Sequence, residues 1–194
     1  VRTDVSSTGL CGTFDVGGIQ GSDRPPHTLT AGDYVFATIV STWVPSYPPA
    51  GTNPNLFCYR ISTNSLCPGY PQVMPDGIPF GSAAHGGLAP MVSATGAVTG
   101  VCSLVANLAD NCWNLSGAKV ASPYPAAAGF HDAWAGDGLL LGTKVYVPVN
   151  DDNSVGCFDF SKVSGGQVQP CSGFTPPPNP FNYTSRTIAG VPGC

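Results

Sequence analysis

Eight cysteines in a chain of 194 residues restrict the fold more than any other feature of this sequence. At that density they imply a disulfide framework made in an oxidising compartment, so the chain reads as a secreted or cell-surface protein. Cys11, Cys58, Cys102, Cys157 and Cys194 are separated by 47, 44, 55 and 37 residues, a loose period of the size of supersecondary repeats. Their surroundings repeat as well. Phe14, Ile61, Val105 and Phe160 stand three positions after the first four of them, and Leu10, Phe57 and Val101 directly precede three. Each of these cysteines therefore reads as a fixed point in an alternating strand.

Three of the five have a near partner: Cys58 with Cys67, Cys102 with Cys112, and Cys157 with Cys171. Directly opposed residues of an antiparallel pair bring their Cβ atoms to about 4.5–5.5 Å, near the roughly 3.8 Å a disulfide needs. Each pair is thus expected to clip a hairpin, with turns at Ser62-Thr63, at Asn107 and at Ser164 before Gly165-Gly166. Spacing alone leaves many connectivities open, so this pairing rests on the repeat. Cys11 and Cys194 have no near partner. They either close the domain on itself or link Cys194 of one subunit to Cys11 of the next, a head-to-tail contact that makes a filament when it does not close.

Composition agrees with an all-β chain. Eleven Asp and no Glu, with 25 Gly and 20 Pro, disfavour helices and favour turns. Hydrophobic residues at 42% and three Trp argue for a packed core rather than a low-complexity tail. A chain of this length is read as one domain, residues 1–194, with approximate units 1–33, 34–87, 88–131 and 132–194. Only seven Lys and Arg are present, scattered singly, which excludes a nucleic-acid footprint. No apolar run approaches the length of a membrane-spanning helix. The chain starts at Val1 without an initiator Met or a leader pattern, as a mature or excised product would.

The repeat is plainest at residues 142–162. Val145, Val147 and Val149 alternate with Lys144, Tyr146 and Pro148, the period of two of a strand with one buried face. Asn150, Asp151, Asp152 and Asn153 are turn formers. Phe158 and Phe160 then share one face of the next strand, opposite Cys157 and Asp159. Tyr146, Val147, Asn150, Val155 and Asp159 resemble the strand-turn-strand signature of YVTN-type β-propeller blades, found in secreted and surface-attached bacterial and archaeal proteins. The resemblance implies four-stranded antiparallel sheets arranged radially, with functions from adhesion to scaffolding, while the hairpin disulfides and a count of only about four repeats depart from that family's pattern. A layered sheet or a β-solenoid is the alternative.

Chemistry-bearing motifs are sparse. His27, His85 and His131 each precede an expected strand and would converge on a transition metal in a radial fold, but isolated loop histidines are the plainer reading. Asp151 and Asp152 likewise read as a turn rather than a calcium loop. Asp132, Asp137, Asp151, Asp152 and Asp159 cluster in sequence, yet the chain has no Glu to act as the usual general acid and no Gly-x-Ser-x-Gly elbow. A secreted glycoside hydrolase is therefore a second alternative only, and neither a catalytic residue nor a cofactor or metal is expected. Asn114-Leu-Ser and Asn182-Tyr-Thr are N-glycosylation sequons. The leading expectation is a non-enzymatic extracellular structural protein, self-associating as a filament or fibre subunit. The alternative is a glycan- or protein-binding module using Trp43, Trp113, Trp134, Tyr47, Tyr70 and Tyr124.

Overall fold

A computed structural model describes residues 27–38, 56–73, 87–103, 111–125, 137–149 and 154–175. These residues form twelve strands and no helix. The first sheet contains β1 (Thr28–Ala31), β2 (Tyr34–Thr38), β3 (Leu56–Arg60) and β4 (Ser65–Leu66). The second contains β5 (Leu88–Val92), β6 (Val98–Ser103), β7 (Cys112–Asn114) and β8 (Lys119–Val120). The third contains β9 (Leu139–Leu141), β10 (Lys144–Val149), β11 (Ser154–Ser164) and β12 (Gln167–Pro170). Each sheet is an antiparallel meander in which successive strands are neighbours. The unit boundary expected between residues 33 and 34 cuts through the first hairpin. Thr28–Ala31 pairs with Tyr34–Thr38, so β1 belongs with the strands that follow it.

Local chemistry explains the first hairpins of the outer two sheets. Gly32 and Gly142 adopt φ of 56° and 62° at the first position of two-residue loops, where a side chain would be strained. The residue after each glycine holds the third strand. Asp33 accepts from Arg60 Nε at 2.9 Å and from the Ser62 amide at 2.8 Å. Thr143 donates through Oγ1 to Asp159 at 3.1 Å, and Asp159 also accepts from Ser161 Oγ at 2.7 Å. The backbone repeats the match, since Ile61 N donates to Asp33 O and Phe160 N to Thr143 O. The apolar residues three places after Cys58 and Cys157 thus occupy one structural position.

Core packing follows the alternation along each strand. Leu88, Val101 and Trp113 turn one face of the second sheet toward Leu29, Phe36 and Leu56 of the first. Ala89, Met91, Cys102 and Cys112 turn the other face toward Val145, Val147, Phe158 and Phe160 of the third. All five residues of β5 are therefore buried, as a strand covered on both sides requires. Val145 and Val147 are fully buried and share their face with Phe158 and Phe160, in line with the expected period. Trp113, 2% exposed, fills the boundary between the first two sheets. Trp113→Ala should cost about 3–5 kcal/mol, read as a lower urea midpoint with unchanged slope.

The sheets do not lie in a parallel stack. Strand β1 lies against β5, and β5 against β9, so the first strand of each sheet gathers at a shared edge. His27 Nδ1, just before β1, is 3.4 Å from Asp137 Oδ1, just before β9, although the second sheet lies between the sheets these strands begin. Parallel layers about 10 Å apart would hold the first and third sheets some 20 Å from each other. The three sheets instead open like a fan. No closed ring or barrel forms among the described residues.

Candidate functional site

The three hairpin bonds link Cys58 to Cys67, Cys102 to Cys112, and Cys157 to Cys171, with Cα separations of 5.3, 4.0 and 5.4 Å. In the first and third sheets the bond runs from the third strand to the residue just past the fourth, and the Cys67 and Cys171 amides donate to the carbonyls of Cys58 and Cys157. The middle sheet differs. Its bond joins the second and third strands, between directly opposed residues. The turns expected at Ser62-Thr63 and Ser164 are present, the latter with Gly165 and Gly166 at φ of 60° and 80°. Asn107, Cys11, Cys194 and Asn182 lie outside the described residues, as do His85, His131, Asp132, Asp151 and Asp152.

The shared edge is where titratable groups from different sheets meet. Asp137 Oδ1 accepts the amide of Leu88 at 2.8 Å and faces His27, so one carboxylate gathers the starts of all three sheets. Both side chains are about a quarter exposed. Among the described residues no group of three His, Cys, Asp or Glu could hold a metal ion. The arrangement fits a positional role, since a carboxylate bonded to a backbone amide across two sheets fixes their relative angle. Asp137→Ala should therefore cost about 1–3 kcal/mol in chemical denaturation, and Asp137→Asn, which keeps an acceptor, less than half of that.

Asp159, one of the clustered carboxylates, is committed elsewhere. Its bonds to Ser161 come first among the causes that hold it below the ordinary carboxylate value of 3.8. It braces the β9–β10 turn against β11 and does not meet Asp137.

The expected binding aromatics divide in a similar way. Trp113, Tyr70 and Tyr124 are buried at 2%, 8% and 4% exposure, which corrects their reading as exposed sugar-stacking rings. Tyr70 donates through its hydroxyl to the Asn114 carbonyl at 2.9 Å, and Tyr124 to the Pro90 carbonyl at 2.6 Å. The Tyr124 ring also meets Phe158 and Phe160 edge-on at 5.4 and 5.6 Å. These are joints between sheets. Trp43, Tyr47 and Trp134 lie outside the described residues. Burial pushes both tyrosine hydroxyls well above their usual value of 10.0. A raised folded-state pKa gives stability that is complete below the unfolded value and is lost as pH rises toward the folded one. Stability should thus be flat near neutrality and fall above about pH 10, with tyrosinate absorbance appearing together with unfolding.

Asn114, the sequon residue within the described region, shapes the β7–β8 turn. Its Oδ1 accepts from the Ser116 amide, the Ser116 hydroxyl and the Ala118 amide at 3.0, 2.7 and 3.0 Å. Those bonds use the oxygen and leave out Nδ2, the atom an N-linked glycan would occupy.

Sequence reasoning missed the His27–Asp137 contact. Its signal was the placement of both residues just ahead of first strands, which becomes a contact only once the sheets converge. Comparison with protein-family models, with curated proteins and with solved structures finds no match.

Proposed function

We propose that this chain is a non-enzymatic structural protein of the extracellular or cell-surface space, a module of the β-propeller type that self-assembles into a filament. The observation that carries this reading is the fan of three meanders, each with its own disulfide, meeting at one edge. Five of the polar groups described in that fan serve geometry. Asp33 and Asp159 hold turns, Asp137 holds sheet starts, and the Tyr70 and Tyr124 hydroxyls tie neighbouring strands.

Three disulfides on loops of 9 to 14 residues suit a protein matured outside the reducing cytosol and exposed to a harsh medium. The low charge, only 9% of residues, suits close association between copies. The burial of Trp113, Tyr70 and Tyr124 weakens the sugar-binding alternative, because the rings it relied on are spent on packing. Asn114 and Asn182 are proposed carriers of covalent glycans.

Negative-stain electron microscopy of native material, with size-exclusion chromatography beside it, tests this reading. Filaments or large homo-oligomers formed without added ligand support it. A persistent monomer at all concentrations overturns the assembly, and turnover of a glycan substrate that is lost in an Asp variant overturns the non-enzymatic assignment.

A further inference from the structure

The contact between His27 and Asp137 joins two sheets that share no ladder, and both of its members can change charge. Each side chain sits on a backbone pinned by bonds of its own. The His27 carbonyl accepts from the Thr38 amide at 2.9 Å, which extends the β1–β2 ladder by one residue. On the other side, Asp137 Oδ1 accepts from the Leu88 amide at 2.8 Å, and the Leu88 carbonyl accepts from the Gly138 amide at 2.7 Å. The start of the third sheet is thereby tied to β5 at two points. The carboxylate oxygen that makes one of them is the same atom that lies 3.4 Å from His27 Nδ1. The other ion pair among the described residues, Arg60 with Asp33, lies inside the first sheet.

The charge on this contact depends on the medium. Imidazoles ordinarily take up a proton near pH 6.5 and carboxylates near pH 4, so a mildly acidic medium turns such a contact into an ion pair. A neutral ring can still donate from Nδ1, but only the imidazolium places a full positive charge opposite the carboxylate. Among the described residues no second charged group competes at this end. Strands β1, β5, β6 and β9 carry no charged side chain. In β2 and β3, the groups Tyr34, Tyr59 and Arg60 stand at the far end of the ladder. There Tyr34 pairs with Arg60, whereas Thr38, beside His27, pairs with Leu56. Asp137 is thus the ionisable partner that these strands bring to His27.

We infer that His27 and Asp137 form a pH-sensitive latch, which tightens the shared edge of the fan in mildly acidic surroundings and slackens it in alkaline ones. The sign follows from which form gains the partner. The folded protein favours the imidazolium, so the stabilisation is complete below the ordinary histidine value and is lost as pH rises through the higher folded value. It is lost again at the acid end, once the carboxylate takes up a proton. The latch therefore acts on the acid side of the range in which the buried tyrosine hydroxyls leave stability flat. Both side chains are about a quarter exposed, so the pair is partly screened and shifts the closed-to-open ratio of the edge by about two- to fivefold. What opens is the junction between sheets, because the ladders within each sheet are made by backbone groups. The latch needs the fan and not the filament, so protein that stays monomeric leaves it standing.

Amide hydrogen exchange of the full-length oxidised protein, corrected for the intrinsic effect of pH, tests the latch at Leu88. Protection there should be about two- to fivefold greater at about pH 5.5 than at about pH 8. Cys171, whose amide bonds to Cys157 within the third sheet, should show no such change. His27→Gln leaves Asp137 on the Leu88 amide and should abolish the difference. By nuclear magnetic resonance, the His27 ring should titrate at a higher pH in the unaltered protein than in Asp137→Asn. Equal Leu88 protection at both pH values in the unaltered protein would overturn the inference without recourse to any variant. A difference that survives in His27→Gln, or a His27 titration that Asp137→Asn leaves in place, would overturn it as well.

Discussion

Reduction of the three described disulfides should unfold the protein at room temperature. Loops of 9, 10 and 14 residues closed by a disulfide each stabilise by about 2.5–3 kcal/mol through lost freedom in the unfolded chain, or about 8 kcal/mol in sum. Domains typically hold only about 5–15 kcal/mol in all, so removing this share leaves little or nothing. The first sheet shows why: its edge strand β4 has only two residues, and Cys67 directly after it is bonded back to β3. The clip supplies what so short an edge strand cannot. Circular dichroism during titration with a phosphine reductant at pH 7 should show loss of the β signal in step with thiol release. Replacing one pair, Cys102→Ser with Cys112→Ser, should lower stability by about 3 kcal/mol while the protein still folds. A fully reduced protein that keeps its melting temperature within a few degrees would refute this view of what holds the sheets.

The second large effect concerns Gly100. It lies in β6, pairs across to Met91 and Asn114, and stands in the sheet that is covered on both faces. A Cβ at this position would come 2.1 Å from the Trp113 carbonyl oxygen, 2.5 Å from Met91 Cε and 2.9 Å from Asn114 Cα. Two of those atoms are backbone of β7 and cannot step aside without breaking the ladder. Gly100→Ala should therefore cost about 3 kcal/mol, at the upper end of overpacking, and lower the melting temperature by about 6–12 °C. Shortening the neighbour with Met91→Ala should not rescue it, because the backbone clash remains. Gly165→Ala is the control. It meets nothing within 4 Å and carries only the strain of a φ of 60°, so it should cost about 1 kcal/mol. Equal costs for the two variants would contradict the close approach at Gly100.

The hairpin disulfides and the strand faces were legible in the sequence because both depend on local spacing. A period of two at Val145 and Val147, and Cys pairs on opposite sides of turn-forming residues, carry their geometry with them. The match of Ile61 to Phe160 was visible as a repeated distance from a cysteine. The fate of the aromatics was not legible. Tyr70 and Tyr124 follow strands in Pro-containing segments, where exposure is the usual expectation, and only the packing of one sheet on the next buries them. The first unit boundary failed for a related reason. Thr28–Ala31 is four residues long and sits beside a Gly-rich, Pro-rich stretch, so its affinity for Tyr34–Thr38 shows only in the ladder. The convergence of His27 and Asp137 lies at the far end of that scale. It joins residues 110 positions apart, and no local pattern encodes such a meeting.

An experimental high-resolution structure of the native material, by crystallography or by electron cryomicroscopy of assembled specimens, tests the radial arrangement most directly. The account predicts β1, β5 and β9 side by side at one edge, with His27 within contact of Asp137 and the three sheets opening from that edge. Three sheets layered in parallel, with His27 and Asp137 about 20 Å apart, would contradict it.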